Sequence, residues 1–255
     1  MDSEFKIKNL VVTILAAGEG KRMNSKIPKV LCLFKNKPML IRIIQEVILL
    51  SPRKIVIIVG KNAKMIKEYC NQYLNDSELK LLQFVIQKEP KGTGHAICST
   101  LSVYNEHDKV LILNGDMPNI TANILERFLQ QIYLNDFKNT IITIHVDNPY
   151  GYGRIVLEKN KIVNIVEEKD ASEEERKINL INTGIYCFDA SYLSYLVPQI
   201  ENNNIQKEYY LTDIVKIGNN KNITIHNITL LEKYNNNVLG VNTKKELESL
   251  ELNAM

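Results

Sequence analysis

"VVTILAAGEGKRMNSKIPKVL", residues 11–31, decides how this chain is read. An apolar, β-branched run ends in Ala16, Ala17 and Gly18; Gly20 follows, then the cations Lys21, Arg22, Lys26 and Lys29. Small residues after a strand leave N–H groups uncovered and let backbone approach a ligand, and glycines at 18 and 20 accept φ > 0 turns that other residues resist. Such a loop is a nest for an anion, with Arg22 as a planar fork and Lys29 as a mobile point charge on the same phosphates. It lacks the G-x-G-x-x-G of a dinucleotide fold and the G-K-[ST] of a P-loop. Taken alone it also fits a cationic loop on a solvated surface.

Outward from that loop, short β-branched runs alternate with helix-period segments, as βαβ units around a largely parallel sheet require. Val11 to Leu15, "KIVIIVG" (54–60), "LLQFVIQ" (81–87) and "KVLILNGD" (109–116) read as strands. Pro38 opens an amphipathic helix through Leu50, "AKMIKEYCNQYL" (63–74) is a second, and "GTGHAICSTLSVY" (92–104) starts a third on glycines. Thr121 is the expected N-cap of a fourth, running to Leu134. Beyond residue 140 the chain turns strand-rich in "NTIITIHV", "GRIVLEKNKIVNIVEE" and "NTGIYCFD", and Lys159-Asn160-Lys161 predicts a hairpin turn. The second half is expected to extend the sheet and add a small β-rich lobe. With no internal repeat and no proline-rich linker, the chain reads as one α/β unit with a mixed, mostly parallel sheet flanked by helices.

Composition narrows the function. The 255 residues are 45% hydrophobic, enough for a real core, and a net charge of +3 with interleaved signs argues against a nucleic-acid track or a polybasic membrane arm. Cys32, Cys70, Cys98 and Cys187 are dispersed, without C-x-x-C or a histidine at zinc spacing, so neither a disulfide framework nor a structural metal is expected. The early apolar run, Leu10 to Ala17, is far short of the ~20 residues of a membrane span. A soluble protein of the reducing cytoplasm is expected.

Further polar residues fall where predicted strands end, the place where open α/β sheets keep their ligand crevice. Gln87 carries an amide able to give and take hydrogen bonds, as a pyrimidine edge requires, and "KGTGHA" adds Gly92 and Gly94 for close backbone approach. Asp116 in "LILNGDMP" suits a hard cation such as Mg²⁺, although a lone carboxylate there also serves as a cap or turn. "GYGRI" (151–155) and "NTG" (182–184) offer exposed backbone and an amide, and Asn242 in "LGVNT" is a second candidate oxygen ligand. His95, His107, His145 and His226 are scattered and read as surface or core residues. Tyr209 and Tyr210 in "EYYLTDI" read as packing, and "SEEERK" (172–177) as a solvated loop or helix start.

"LAAGEGKRMNSKIPKVL", "GTGHA", "NGDMP", "GYGRIVLEKNKIVNIVEEKDAS", "INTGIY", "EYYLTDI" and "GVN", in this order from about residue 10 to 250, resemble the sugar-nucleotide pyrophosphorylase family. The likeness is strongest to the N-terminal uridylyltransferase domain of the bacterial bifunctional N-acetylglucosamine-1-phosphate uridylyltransferases. It implies the Rossmann-like nucleotide-diphospho-sugar transferase fold, with residues 1–140 as a nucleotide-binding half and 141–255 as a sugar-binding half with a C-terminal helix. It also implies a reaction of UTP with N-acetylglucosamine 1-phosphate that gives UDP-N-acetylglucosamine and pyrophosphate with Mg²⁺, or Mn²⁺ through similar oxygen ligands. Carried over, Leu15, Ala16, Ala17 and Gly18 line the nucleotide, Lys29 and Arg22 bind the triphosphate, and Gln87, Gly92 and Thr93 contact the uracil side. Asp116 and Asn242 match the metal ligands, and Gly153, Glu167 and Asn182 match positions that hold the sugar.

Two departures qualify the likeness. Asn114 stands where the bacterial enzymes usually place an aromatic, which opens the contacts around nucleotide or sugar to change. The hexapeptide-repeat acetyltransferase domain that builds the bacterial trimer is not expected here, so the oligomeric state is left open. Two alternatives accompany the reading: a uridylyl- or thymidylyltransferase for another hexose 1-phosphate, and an inactive regulatory homologue, which would be expected to have lost Lys29, Asp116 or Arg22.

Overall fold

The computed structural model describes residues 7–18, 20, 23, 25 and 27–253; Arg22, Lys21 and Lys26 lie outside the described residues. Its strands are β1 (Leu10–Leu15), β2 (Leu33–Phe34), β3 (Lys37–Pro38), β4 (Lys54–Val59), β5 (Leu82–Ile86), β6 (Lys109–Asn114), β7 (Asn139–His145), β8 (Arg154–Glu158), β9 (Lys161–Val166), β10 (Leu180–Asp189) and β11 (His226–Thr229). The helices are α1 (Met39–Ile48), α2 (Ala63–Tyr73), α3 (Asp76–Leu79), α4 (Thr93–Cys98), α5 (Ala122–Leu134), α6 (Glu173–Arg176), α7 (Ala190–Leu196), α8 (Ile214–Asn220), α9 (Asn235–Val238) and α10 (Lys244–Asn253).

The main sheet runs β11-β7-β10-β6-β1-β4-β5, with β8 and β9 attached beside β10. Along that path every neighbouring pair is parallel except those of β10, which opposes both β6 and β7. Parallel strands covered on both faces need apolar residues at every position, which is why their sequences are unbroken runs instead of alternations. Leu10, Val12 and Ile14 of β1, with Ile55 and Ile57 of β4, face one core; Ile58 of β4, with Val110 and Ile112 of β6, faces the other. Each such fully buried aliphatic stabilises the fold by about 1.5–3 kcal/mol relative to exposure.

The chain leaves β1 for β4 and β5 on one flank and then returns to β6 on the other. The carboxyl ends of β1 and β6 therefore flank a switch in strand order, where a crevice opens. Across β6, β10 carries a register shift between Asn182 and Tyr186, with Gly184 at φ +80°. This bulge carries Asn182–Gly184 past the end of β6 and into the crevice.

Several local expectations change. Pro38 pairs with Leu33 in a two-residue ribbon, so α1 begins at Met39 and ends at Ile48. The helix expected over 92–104 is only α4, because Gly92 (φ +107°) starts it and it closes into a 3₁₀ turn at Leu101–Val103. Thr121 has extended backbone at the N-cap of α5 but makes no side-chain cap bond; the Ala122 N–H donates instead to Glu46 Oε2 of α1 at 2.8 Å. The hairpin turn is present, with Lys159 and Asn160 both left-handed (φ +49° and +63°), as a two-residue loop demands. "SEEERK" starts a helix: Ser172 and Glu175 form a capping box for α6.

Candidate functional site

A cavity of about 180 Å³ opens at the ends of β1 and β6. It is lined from the β1–β6 side by Leu15, Asn114 and Asp116, and from the β8–β10 side by Gly151–Gly153, Glu167, Asn182–Gly184 and Tyr186. Thr93, Leu211–Thr212, Gly240 and Asn242 complete the lining.

The β1 side is built from backbone. The Gly115 N–H donates to the Leu15 carbonyl at 2.9 Å, and a Cβ on Gly115 would lie 2.8 Å from that oxygen, so only glycine lets the two strand ends meet. The anion nest is narrower than its sequence suggested. The Ala16 N–H is taken by the Ile58 carbonyl, and of the two glycines Gly20 has positive φ (+61°) while Gly18 does not. Gly20 packs against the Lys29 side chain, where any Cβ would collide with it.

Lys29, Asp116 and Asn242 meet, although 213 residues separate the first from the last. The Lys29 ammonium donates to Asp116 Oδ2 and, at 3.3 Å, to Asn242 Oδ1. Asn242 is not at a strand end as expected but in the loop before α10. That loop is stitched to the β6 end: the Val241 N–H donates to the Asp116 carbonyl at 2.9 Å, and Asn237 Nδ2 to the Asn119 carbonyl at 3.0 Å. Val241, Leu247 and Leu250 bury against Phe34 and Met39, anchoring α10, and Glu246 accepts the Asn242 N–H at 2.7 Å.

These residues fit a hard cation. Asp116 Oδ1 is buried with no hydrogen-bond partner among the described residues, and a Cβ on Gly240 would come within 2.9 Å of it. The Lys29 ammonium already brings a positive charge to the two oxygens proposed as ligands. The described residues hold no cluster of three or more His, Cys, Asp or Glu suited to a metal. An ion here would take most of its ligands from phosphates and water, the usual arrangement for Mg²⁺.

The β8–β10 side uses side chains. Thr212 Oγ1 donates to Glu167 Oε1 at 3.0 Å. Burial, reinforced by Asp213, Asp170 and Glu208, pushes the Glu167 carboxyl above its ordinary range against that one hydrogen bond. Asn182 Nδ2 donates to the Tyr186 hydroxyl at 2.7 Å, and its Oδ1 accepts the Gly184 N–H at 3.1 Å. Burial pushes the Tyr152 phenol up to about 12. "GYGRI" runs into the start of β8 and "NTG" lies within β10, so neither ends a strand as expected.

Of the residues anticipated from sequence, Leu15, Thr93, Asp116, Gly153, Glu167, Asn182 and Asn242 line the cavity, and Lys29 bonds two of them. Gln87 and Gly92 do not line the cavity: Gln87 Nε2 donates to the Gly92 carbonyl and contacts His95 Nδ1, both at 3.1 Å. Ala16, Ala17 and Gly18 follow directly on β1. Tyr209 packs as expected and also clamps the glycine loop through its backbone, accepting the Gly94 N–H at 2.7 Å. Sequence reasoning missed Tyr152, Tyr186, Thr212 and Gly240 as lining residues. Thr212 and Gly240 lie inside segments singled out for other reasons, whereas Tyr186 reaches the cavity only through the β10 bulge.

Known proteins place this geometry. Residues 11–227 match the family described as Nucleotidyl transferase. A "Probable UDP-N-acetylglucosamine pyrophosphorylase" from Acanthamoeba polyphaga mimivirus is 41% identical over 245 residues, covering 95% of each chain. The "Bifunctional protein GlmU" of Francisella tularensis subsp. novicida is 40% identical over 243 residues, and the chain spans about half (51%) of its length. A crystal structure of UDP-glucose pyrophosphorylase with UDP-glucose superposes with a TM-score of 0.73 over 96% of this chain and 97% of that one; at 18% identity it establishes the fold alone. No helix among the described residues is long and apolar enough to cross a membrane. With the crevice at the β1–β6 switch point and matches spanning nearly its whole length, the chain belongs to the nucleotidyl transferase family.

Proposed function

We propose that this protein is a UDP-N-acetylglucosamine pyrophosphorylase, which transfers UMP from UTP to N-acetylglucosamine 1-phosphate and releases pyrophosphate. The observation that carries the reading is the meeting of Lys29, Asp116 and Asn242 at a cavity whose β8–β10 side presents Gly153, Glu167 and Asn182. The name of the mimivirus relative supports this sugar and nucleotide over other hexose phosphates.

A phosphate oxygen of the sugar phosphate attacks the α-phosphorus of UTP; the bond from that phosphorus to the oxygen bridging to the β-phosphate breaks, and pyrophosphate leaves with the electron pair. A phosphate monoester is already a competent nucleophile, so the protein supplies position and charge, with no protein nucleophile and no base. Asp116 and Asn242 would hold Mg²⁺ or Mn²⁺ through oxygen. When bound, the ion neutralises phosphate charge and templates the attack. Lys29 then exchanges its carboxylate partner for the leaving phosphates, and Arg22 is assigned to the same charge. Leu15 to Gly18 bring backbone to the nucleotide. Gln87, its Nε2 held by Gly92, is left with Oε1 to accept from the uracil N3–H, beside Thr93. Glu167 and Asn182 take sugar hydroxyls or the acetamido group. The reading includes a cytoplasmic compartment, in keeping with four unpaired cysteines, and no nucleic-acid or membrane partner.

Pyrophosphate release with Mg²⁺, measured for UTP, dTTP, CTP and GTP against N-acetylglucosamine, glucosamine and glucose 1-phosphates, tests it. Turnover confined to UTP with N-acetylglucosamine 1-phosphate is expected. Release with another pair would keep the chemistry and replace the substrate; no release from folded protein would overturn the enzyme reading in favour of a regulatory homologue.

A further inference from the structure

The Gly151–Gly153 rim of the cavity belongs to no helix or strand, yet an ion pair between buried Arg154 and half-buried Glu168 holds it. Arg154 is 1% exposed. Its Nη2 donates to Glu168 Oε2 at 2.6 Å, and its Nη1 donates to the Tyr152 carbonyl. The same Glu168 oxygen accepts the Gly151 N–H at 2.9 Å, and Arg176 Nε lies 3.9 Å from the other. One guanidinium and one carboxylate therefore grip the segment on both sides of its turn, where Gly151 stands at φ +88°. Desolvation pushes the Glu168 carboxyl up, but the Gly151 N–H and Arg154 outweigh it and hold the group below its usual range.

A buried pair is a poor source of net stability, because desolvation offsets most of its Coulomb energy and apolar residues of similar volume often serve as well. Its distinctive contribution is geometry: a planar fork fixes a carbonyl and a carboxylate at once. Here that geometry bears on the cavity. Glu167 lines it while the next residue, Glu168, joins the pair, so one stretch supplies both a contact and the brace beside it. Arg154 pairs in turn with Ile181, next to Asn182, whose own N–H donates to the Gly153 carbonyl at 2.9 Å.

We propose that Arg154 and Glu168 are positioning residues for the sugar phosphate, setting the Gly151–Gly153 rim against which it binds. The inference rests on the functional reading above. It requires that breaking the pair loosens the sugar phosphate and leaves UTP binding alone, because among the described residues no hydrogen bond or ion pair joins the β1 and β6 loops to Arg154 or Glu168.

The test is the double variant Arg154→Met with Glu168→Gln, which removes both charges while keeping volume, alongside the single variant Arg154→Lys, which keeps charge but loses the fork. The expected result is a melting temperature near wild type for the double variant, with faster amide hydrogen exchange confined to residues 150–153. The KM for the sugar phosphate should rise by about tenfold in both variants while the KM for UTP stays within about twofold. Unchanged exchange and KM in the folded double variant would overturn the proposal. So would a joint rise of both KM values with a fallen melting temperature, which marks a structural brace only. A wild type inert toward every sugar phosphate would sink the functional reading instead, and exchange at the rim would still decide whether the pair sets it.

Discussion

The two walls of the cavity are made differently. On the β1–β6 side the ligand meets strand ends, small residues and backbone, placed by the order of parallel strands. On the β8–β10 side it meets side chains from three segments, held in place by hydrogen bonds such as Thr212 to Glu167 and Asn182 to Tyr186. One wall is inherited from topology, and the other is assembled residue by residue. On the proposed function the difference separates two tasks: charge handling falls to the β1–β6 side, and sugar recognition to the β8–β10 side.

The comparison is broken most directly at the charge-handling wall. Lys29→Ala and Asp116→Ala should each lower kcat by at least about a hundredfold, roughly 2.7 kcal/mol in barrier. Steady-state pyrophosphate release checks this, and near wild-type turnover in either variant would remove that residue from the chemistry. Next in size is Gly184→Ala. Its positive φ resists a side chain, and the added Cβ would overlap the Asn114 amide, so about 2 kcal/mol of stability should be lost in urea titrations. Asn114→Ala in the same chain should recover the steric part of that loss but not the backbone part. Gly18→Ala offers the contrast: among the described residues no atom lies within 4 Å of its added Cβ and φ is not positive, so stability should stay within about 0.5 kcal/mol.

A smaller effect separates what the sequence displayed from what it hid. Thr121 has the side chain of a helix cap, yet Glu46, 76 residues earlier, takes the first amide of α5. Glu46→Ala should therefore cost about 1 kcal/mol, and Thr121→Ala clearly less, by chemical denaturation. The reverse order would restore the local reading.

The same distinction governs how much was legible. The parallel strands could be read because full burial demands unbroken apolar runs, and the strand-end candidates followed because ligands gather at carboxyl ends in such sheets. Asp116 was found that way. Asn242 was picked out as a strand-end amide and again through resemblance, but its true setting in a loop docked by α10 could not be read, since the docking depends on Phe34 and Met39 far upstream. The Arg154–Glu168 pair was hidden because "GRI" and "EEK" show charges without showing that one is buried and faces the other. The β10 bulge was hidden for a related reason: it satisfies the partners on either side, β6 and β7, more than any preference of "NTGIY". Local pattern predicts elements, whereas long-range pairing decides where they bend.

Glu167 gives the smallest and finest test, because site chemistry and fold stability oppose each other there. Burial is the main reason its carboxyl is pushed up, with Asp213, Asp170 and Glu208 adding repulsion and Thr212 only partly compensating. A carboxyl whose folded value lies above its unfolded one favours the native state most when protonated. That contribution is full below the ordinary carboxylate range and is lost as pH rises through the raised value. Above that raised value the carboxylate is a desolvated, poorly compensated charge that a bound sugar, donating hydroxyls, would relieve. Glu167→Gln should melt above wild type once pH exceeds the raised value, with the difference shrinking toward pH 4, and should at the same time bind the sugar phosphate more weakly. Thermal melts across that range decide the first half and KM for the sugar phosphate the second. A variant that melts lower above the raised value would mean that the carboxylate is a stabilising part of the wall, and the division between a wall built for stability and one built for recognition would fail at its central residue.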